Sequence, residues 1–224
     1  GGTYPTITAE VLAYYFFDAS ANPNPLAPTE QPADGVAPDI VVPGILVANG
    51  DLIINKPDED FTFSGYQTTG DITVTVGGFV LTGQLSTSGI GKTITIITTG
   101  NPLAAPAIGN TSGDVDLQGA AFISGETILI TAANELKSPI NATSLLVGTT
   151  ASVQVRAGSL VLPVALATIT ASAPGEVTIS DPDALEIAGL KGTALKIEVV
   201  GDLTQDLAQS GAIDGTSLEA SSTG

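Results

Sequence analysis

Apolar and polar side chains alternate in short stretches along most of this 224-residue chain. In the segment GDITVTVGG, residues 70–78, three aliphatic side chains share one side and two threonines share the other. A period of two residues is typical of a half-buried β-strand, because successive side chains of a strand point to opposite faces. Thr, Val and Ile also suit the pleated surface of a sheet. The pattern predicts an all-β fold, with short helices only at 183–190 or 202–208.

A glycine, usually followed by a charged residue, introduces several of these stretches. The first four such glycines are 20, 21 and 22 residues apart. Coils of this length with two or three short strands are the unit of a β-solenoid, in which side chains at matching positions stack into ladders. The four glycines are Gly50, Gly70, Gly91 and Gly113.

The apolar positions that follow these glycines predict the interior of the solenoid. We expect successive coils to place Ile72, Ile94 and Val115 in one column. A β-sandwich is the alternative, because its strands recur every 8 to 12 residues and alternate strands would then recur near 20. The near-constant steps and the repeated glycine-charge order favour the β-solenoid. The predicted core ladder consists of Leu52, Ile72, Val74, Ile94, Ile96, Val115 and Leu117.

Composition divides the chain into four parts. Residues 45–204 carry the strand repeat. Residues 21–44 hold six of the 14 prolines, which predicts an extended connector. Residues 205–224 lose the alternation and predict a polar tail, with a weak last strand as the alternative.

Residues 1–20 form the remaining part and predict a strand that is apolar on both faces, since they include LAYYFF. In one interpretation this strand folds back and caps its own solenoid, whose open end exposes unpaired backbone groups. In the other it adds to the sheet of a neighbouring subunit and builds a head-to-tail filament. The residues of this inter-subunit or capping strand are Ile7, Val11, Tyr14, Tyr15, Phe16 and Phe17.

Charge restricts the partners. The chain has 23 acidic and 6 basic residues and a net charge of −17, which would repel nucleic acid and anionic membranes. No apolar run approaches the roughly 18 residues that a membrane helix needs, so we expect no membrane span. The absence of Met predicts that the start of the chain has been processed.

Chemistry is restricted by missing residue types, because the chain has no His, Cys or Trp. We therefore expect no enzyme activity and no cofactor. Acidic turns at 58–60 and 181–186 could hold Ca²⁺, although solvated turns are the more frequent use of such residues. Asp114 and Asp116 alternate with Val115, so we expect both carboxylates to be exposed. Asn110 and Asn141 match the acceptor pattern for N-glycosylation.

Several repeat segments resemble a known family. The stretches DLIINKPDEDFTFSG, TTGDITVTVGG, LTGQLSTSGIGKTITI, SGDVDLQGAAFISGETILITAANEL and INATSLLVGTTASV are similar to the haemagglutinin-type repeats of two-partner-secreted bacterial adhesins, the filamentous haemagglutinin group. The resemblance covers roughly residues 45 to 200. It implies a right-handed parallel β-helix, export across the outer membrane, and an adhesive or structural role at the cell surface without catalysis.

These observations lead to one expected function with alternatives. We expect an extracellular structural or adhesive protein that self-assembles into a surface filament through its N-terminal strand. Its expected partners are copies of itself and a host or neighbouring-cell surface. The alternatives are a donor-strand-exchanged β-sandwich subunit of a pilus-like fibre, a viral structural protein and, least favoured, a β-helix carbohydrate-active enzyme, for which the single Arg156 leaves little basic chemistry.

Overall fold

The computed structural model describes residues 7–8, 40–42, 46–47, 49–57, 59–100, 113–138, 145–205 and 213–223. These residues form 22 short β-strands. In this part of the chain there is no helix, and hence none long and apolar enough to cross a membrane. In chain order the strands are β1 (Ile7–Thr8), β2 (Ile40–Val42), β3 (Leu46–Val47), β4 (Leu52–Lys56), β5 (Phe61–Phe63), β6 (Tyr66–Thr68), β7 (Ile72–Val76), β8 (Phe79–Leu81), β9 (Gln84–Thr87), β10 (Thr93–Thr98), β11 (Val115–Leu117), β12 (Phe122–Ala132), β13 (Leu136–Lys137), β14 (Leu146–Val155), β15 (Leu160–Ala165), β16 (Thr168–Ser172), β17 (Val177–Asp181), β18 (Leu185–Lys191), β19 (Ala194–Val199), β20 (Leu203–Gln205), β21 (Ile213–Asp214) and β22 (Ser217–Ser222).

Every pairing among the described strands is parallel, and partners belong to successive coils. On one side of the molecule β4 pairs with β7, β7 with β10, and β10 with β12. The same side continues through β14, β16 and β18. A chain that returns to the same side after each coil is a β-solenoid, so the predicted parallel β-helix is confirmed. The alternative β-sandwich is wrong, because its neighbouring strands would be antiparallel.

The coils change shape along the molecule. Early coils have three short strands, as in β4, β5 and β6, which stack under β7, β8 and β9. Later coils have two longer strands, such as β16 with β17 and β18 with β19. The change occurs at β15, whose first part pairs with β17 and whose last two residues pair with β14. One strand there spans what two short strands spanned before, so the coils from β14 to β16 and from β16 to β18 need only 18 residues.

The core fills the inside of the coils, because inward side chains alternate with outward ones along each strand. All seven residues of the predicted ladder are buried. Leu52, Ile72 and Ile94 occupy one column of paired positions, and Ile128 is the next member. Buried Phe61 and Phe63 pack with ring centroids 5.2 Å apart on another side of the same interior.

The prediction that Val115 follows Ile94 in this column is wrong. Val115 lies in a different sheet, where it pairs with Phe79 and Leu136. Thirty-four residues separate Ile94 from its true partner Ile128, because the coil between them includes residues 101–112, which lie outside the described part. The glycine-charge signal at 113 therefore introduces a strand on another side of the solenoid.

The recurring glycine has a steric cause at the corner before β7. A Cβ on Gly70 would lie 2.2 Å from the carbonyl carbon of Gly50 and 2.3 Å from its oxygen. Only hydrogen fits between these two stacked corners. Threonines hold the same corner from inside: the Thr68 hydroxyl donates to the Gly50 carbonyl, and the Thr87 hydroxyl donates to the Gly70 carbonyl at 2.7 Å.

Several predicted boundaries need correction. Both predicted short helices are wrong where the structure describes them, because β18 covers most of 183–190 and β20 lies within 202–208. The repeat body already includes β2, which pairs with β5, so it begins before residue 45. At the other end β22 pairs with β19 over six residues, so residues 217–222 form the last strand that was the alternative to a polar tail.

Candidate functional site

The last described strand, β22, has one edge that no described strand covers. β22 pairs with β19 in a register that places Leu218 beside Leu195 and Ala220 beside Ile197. Leu195 is 2% exposed, whereas Leu218 is 52% exposed. Within the described part of the chain, no strand pairs with the other edge of β22. Leu218 therefore occupies a core-ladder position that no further layer of the described residues covers.

The opposite end is formed by the first rung, β1, β2 and β3. These strands pair with β4, β5 and β6, with Ile7 opposite Leu52. Among the residues that the structure describes, none pairs with their outer edges. Among the described strands, β22 and the first rung therefore each keep one edge without a paired strand, and unpaired N–H and C=O groups at such an edge can accept a further strand.

Of the six predicted residues of the N-terminal strand, the described part of the chain contains Ile7. Ile7 lies in β1, and its pairing with Leu52 puts it at the end of its own solenoid. The remaining members, Val11, Tyr14, Tyr15, Phe16 and Phe17, lie outside the described residues, as do the glycosylation candidates Asn110 and Asn141.

The second acidic turn, at 181–186, supports the backbone. The buried Asp181 carboxylate accepts hydrogen bonds from the backbone N–H of Leu166 at 3.0 Å and of Asp183 at 2.8 Å. This use of both oxygens ties neighbouring coils together. The described residues contain no group of three side chains suited to hold a metal ion. In the first turn Asp58 lies outside these residues, and Glu59 forms an ion pair with Lys56 at 3.7 Å.

Asp114 forms the most deeply buried ionic contact in the described structure, and the expectation that it is exposed is wrong. Its side chain is 0% exposed and lies 2.5 Å from Lys137 Nζ. Asn134 Nδ2 donates to it at 2.6 Å, and the backbone N–H of Glu135 donates at 3.1 Å. The hydrogen bond to Asp114 raises the pKa of Lys137 above its ordinary value. Asp114 lies one residue before β11, where the chain turns the corner, so strand alternation does not apply to it.

The outer face formed by β7, β10, the second half of β12 (127–132), the second half of β14 (150–155) and β16 is uncharged and rich in hydroxyl groups. These five strands are consecutive neighbours in one sheet. Within 72–76, 93–98, 127–132, 150–155 and 168–172 the outward positions number fourteen, of which nine are Thr and two are Ser. None carries an ionisable side chain, although the chain has a net charge of −17. We call this surface the threonine face; its residues are Thr73, Thr75, Thr93, Thr95, Ile97, Thr127, Leu129, Thr131, Thr150, Ser152, Gln154, Thr168, Thr170 and Ser172.

Charges lie along the borders of the threonine face. Lys92 and Asp71 form an ion pair at 3.1 Å at the corner before the face. Glu126 accepts from the backbone N–H of Gly91 at 2.5 Å on the same border. Glu186 follows Thr168 in the next rung and accepts from its hydroxyl at 3.3 Å. The sheet that contains β19 has outward charges of its own, including an ion pair at 3.0 Å between β19 side chains.

Contacts at the border of the threonine face also lower the pKa of the Asp71 carboxyl group. The backbone N–H of Thr93 donates to Asp71 at 2.8 Å, and this hydrogen bond, assisted by Lys92, holds the pKa of Asp71 below its ordinary value against the effect of desolvation. Asp71 also donates from its own backbone N–H to the Asp51 carboxylate at 2.8 Å. The two carboxylates therefore extend the corner ladder that the glycines begin.

Comparison with known proteins gives no relative for these surfaces. No protein-family model matches the chain, and no curated protein or solved structure matches it. Any function of these surfaces must therefore be inferred from their own residues.

The sequence signal for the threonine face is the order Thr-x-Thr, which recurs at 73–75, 93–95 and 168–170. The sequence carries no comparable signal for the open edge, since β22 is identified by its pairing.

Proposed function

We propose that this protein is an extracellular structural and adhesive protein whose copies stack end to end. The observation that carries the proposal is the open edge of β22, with Leu218 exposed above a buried column. Its location at the cell surface and its adhesion to a host or neighbouring cell rest on the resemblance of its repeats to secreted adhesins.

The direction of the strands supports stacking. All described pairings are parallel, so strands of the first rung of one copy can pair with strands of the last rung of another in the same direction. The β21 edge continues the side that begins with β1, because both belong to the series that contains β4 and β18. Such a contact joins two different surfaces and does not close on itself, so repetition gives a filament.

The chemistry of the contact also supports it. Completing the burial of Leu218 would contribute about 1 kcal/mol, roughly half of the value for a fully buried aliphatic side chain. Main-chain hydrogen bonds along six residues of β22 would add specificity, as in other strand additions.

The experiment compares two substitutions on β22 that each introduce a negative charge. Leu218→Asp places a carboxylate in the open column, whereas Ser221→Asp places one on the outward face of the same strand. We expect the unmodified chain to form filaments by electron microscopy and a concentration-dependent mass by light scattering. Leu218→Asp should be monomeric, and Ser221→Asp should behave like the unmodified chain.

A deletion of residues 1–20 tests the other partner of the contact. Stacking predicts that this deletion also yields monomers, and that mixing it with Leu218→Asp restores no filaments. An unmodified chain that remains monomeric up to millimolar concentration would overturn the proposal. Filaments that persist in both Leu218→Asp and the deletion variant would also overturn it, because the contact would then lie elsewhere.

A further inference from the structure

The threonine face presents its side chains as a two-dimensional grid. Positions continue in register from rung to rung: Thr73 pairs with Thr95, and the column goes on through Leu129, Ser152 and Thr170. Neighbouring strands lie about 4.8 Å apart, and outward residues along one parallel strand repeat every ~6.6 Å. The face thus covers about 19 Å along the solenoid axis and ~13 Å across it.

Side chains on this grid have little freedom. Thr is β-branched, which restricts its χ1 rotation on a strand. Hydroxyls also link across rungs, since Thr150 Oγ1 donates to Thr127 Oγ1 at 3.3 Å. Each Thr offers one methyl group and one hydroxyl group, so the face combines weak hydration with regularly placed hydrogen-bonding groups. A surface of this kind orders water at its own spacing.

Ice has a similar spacing. With tetrahedral oxygens joined by hydrogen bonds of about 2.75 Å, hexagonal ice repeats every ~4.5 Å along one axis and every ~7.3 Å along the perpendicular axis. The grid differs from these repeats by about 0.3 Å per rung and ~0.7 Å per column. The accumulated difference is about 1.2 Å over four rungs and ~1.4 Å over two column spacings, which does not exceed the ~1.4 Å radius of a water molecule.

We propose that the threonine face binds ice. Its lack of charge fits this ligand, because an ionic side chain holds a hydration shell that does not match the ice lattice, and the borders of the face hold the nearest charges. A crystalline polysaccharide is the competing surface. Such a ligand would be expected to stack on aromatic rings, and none of the fourteen positions is aromatic. The inference does not depend on end-to-end stacking.

The test measures thermal hysteresis and the shaping of ice crystals in a nanolitre osmometer with the full chain. We expect hysteresis that rises with protein concentration, and faceted crystals within the hysteresis gap. Thr95→Tyr places a bulky ring in the centre of the grid and should abolish most of the hysteresis. Thr170→Tyr provides a second variant at an exposed position that tolerates a larger side chain.

The matched control is Thr178→Tyr, an outward threonine of β17 on another sheet. It should retain the hysteresis of the unmodified chain, and circular dichroism should show the same strand content for all variants. Absence of hysteresis in the unmodified chain would overturn the proposal. Equal loss in Thr178→Tyr and Thr95→Tyr would also overturn it, as would retention on microcrystalline cellulose or chitin without any effect on ice.

Discussion

Replacing Gly70 with alanine should disrupt the corner that aligns two coils. The added Cβ would lie 2.2 Å from the carbonyl carbon of Gly50 and 2.5 Å from the backbone nitrogen of Asp51. Both neighbours are backbone atoms, so no side chain can rotate away. Ordinary contacts between carbon atoms need about 3.5 Å, and the two coils would have to separate locally by more than 1 Å.

Such a separation acts on three hydrogen bonds at this corner. The backbone N–H of Leu52 donates to the Asp71 carbonyl at 2.8 Å, and the N–H of Asp71 donates to the Asp51 carboxylate at 2.8 Å. The Thr68 hydroxyl donates to the Gly50 carbonyl. At about 1 kcal/mol for each hydrogen bond, with ~1–3 kcal/mol for overpacking, we expect a loss of about 4–6 kcal/mol in the free energy of unfolding. For a chain of this size the midpoint of thermal unfolding should fall by about 10 °C or more.

Gly119→Ala is the matched control. Gly119 has a positive φ of 62° and nothing within 4 Å of the added Cβ, so the substitution strains the backbone without a clash. That strain costs about 1–2 kcal/mol. Urea unfolding followed by circular dichroism compares the two variants. If Gly70→Ala is no less stable than Gly119→Ala, close stacking of the corners is not the reason for the glycine, and the steric argument fails.

Two further predictions concern charged side chains. Lys137→Met leaves the buried Asp114 carboxylate without its cation and should lower the free energy of unfolding by about 3 kcal/mol. Lys191→Met removes an exposed ion pair at 3.3 Å and should lower it by under about 1 kcal/mol. Equal losses for the two variants in urea unfolding would contradict the assigned role of Lys137. The pKa of Asp71 is lower in the folded chain, so its contribution is present above the ordinary carboxyl pKa and is lost as pH falls through the folded value. The difference in thermal midpoint between the unmodified chain and Asp71→Asn should therefore narrow from about pH 6 to pH 2, and a constant difference would refute the assigned role.

The candidate surfaces were predictable only in part. The Thr-x-Thr order is visible in the sequence, because strand periodicity tells which side chains face outward together. What periodicity does not tell is which strands are neighbours. Thr95 lies beside Leu129, 34 residues later, and this pairing makes the face continuous. The open edge at Leu218 could not be predicted, because it depends on β22 joining the sheet of β19.

The amino-acid sequence by itself determined the local elements and the type of coil. Period-2 patterning defines strands through the geometry of the backbone, and stacked corners without room for a Cβ require glycine. Only the tertiary structure decided the order of the ladder, with Ile128 and not Val115 above Ile94, and the burial of Asp114. Spacing along the chain cannot decide these points, because a coil can lengthen without changing its strands. Hydrogen bonding and burial between coils, which depend on distance in space, select the neighbours.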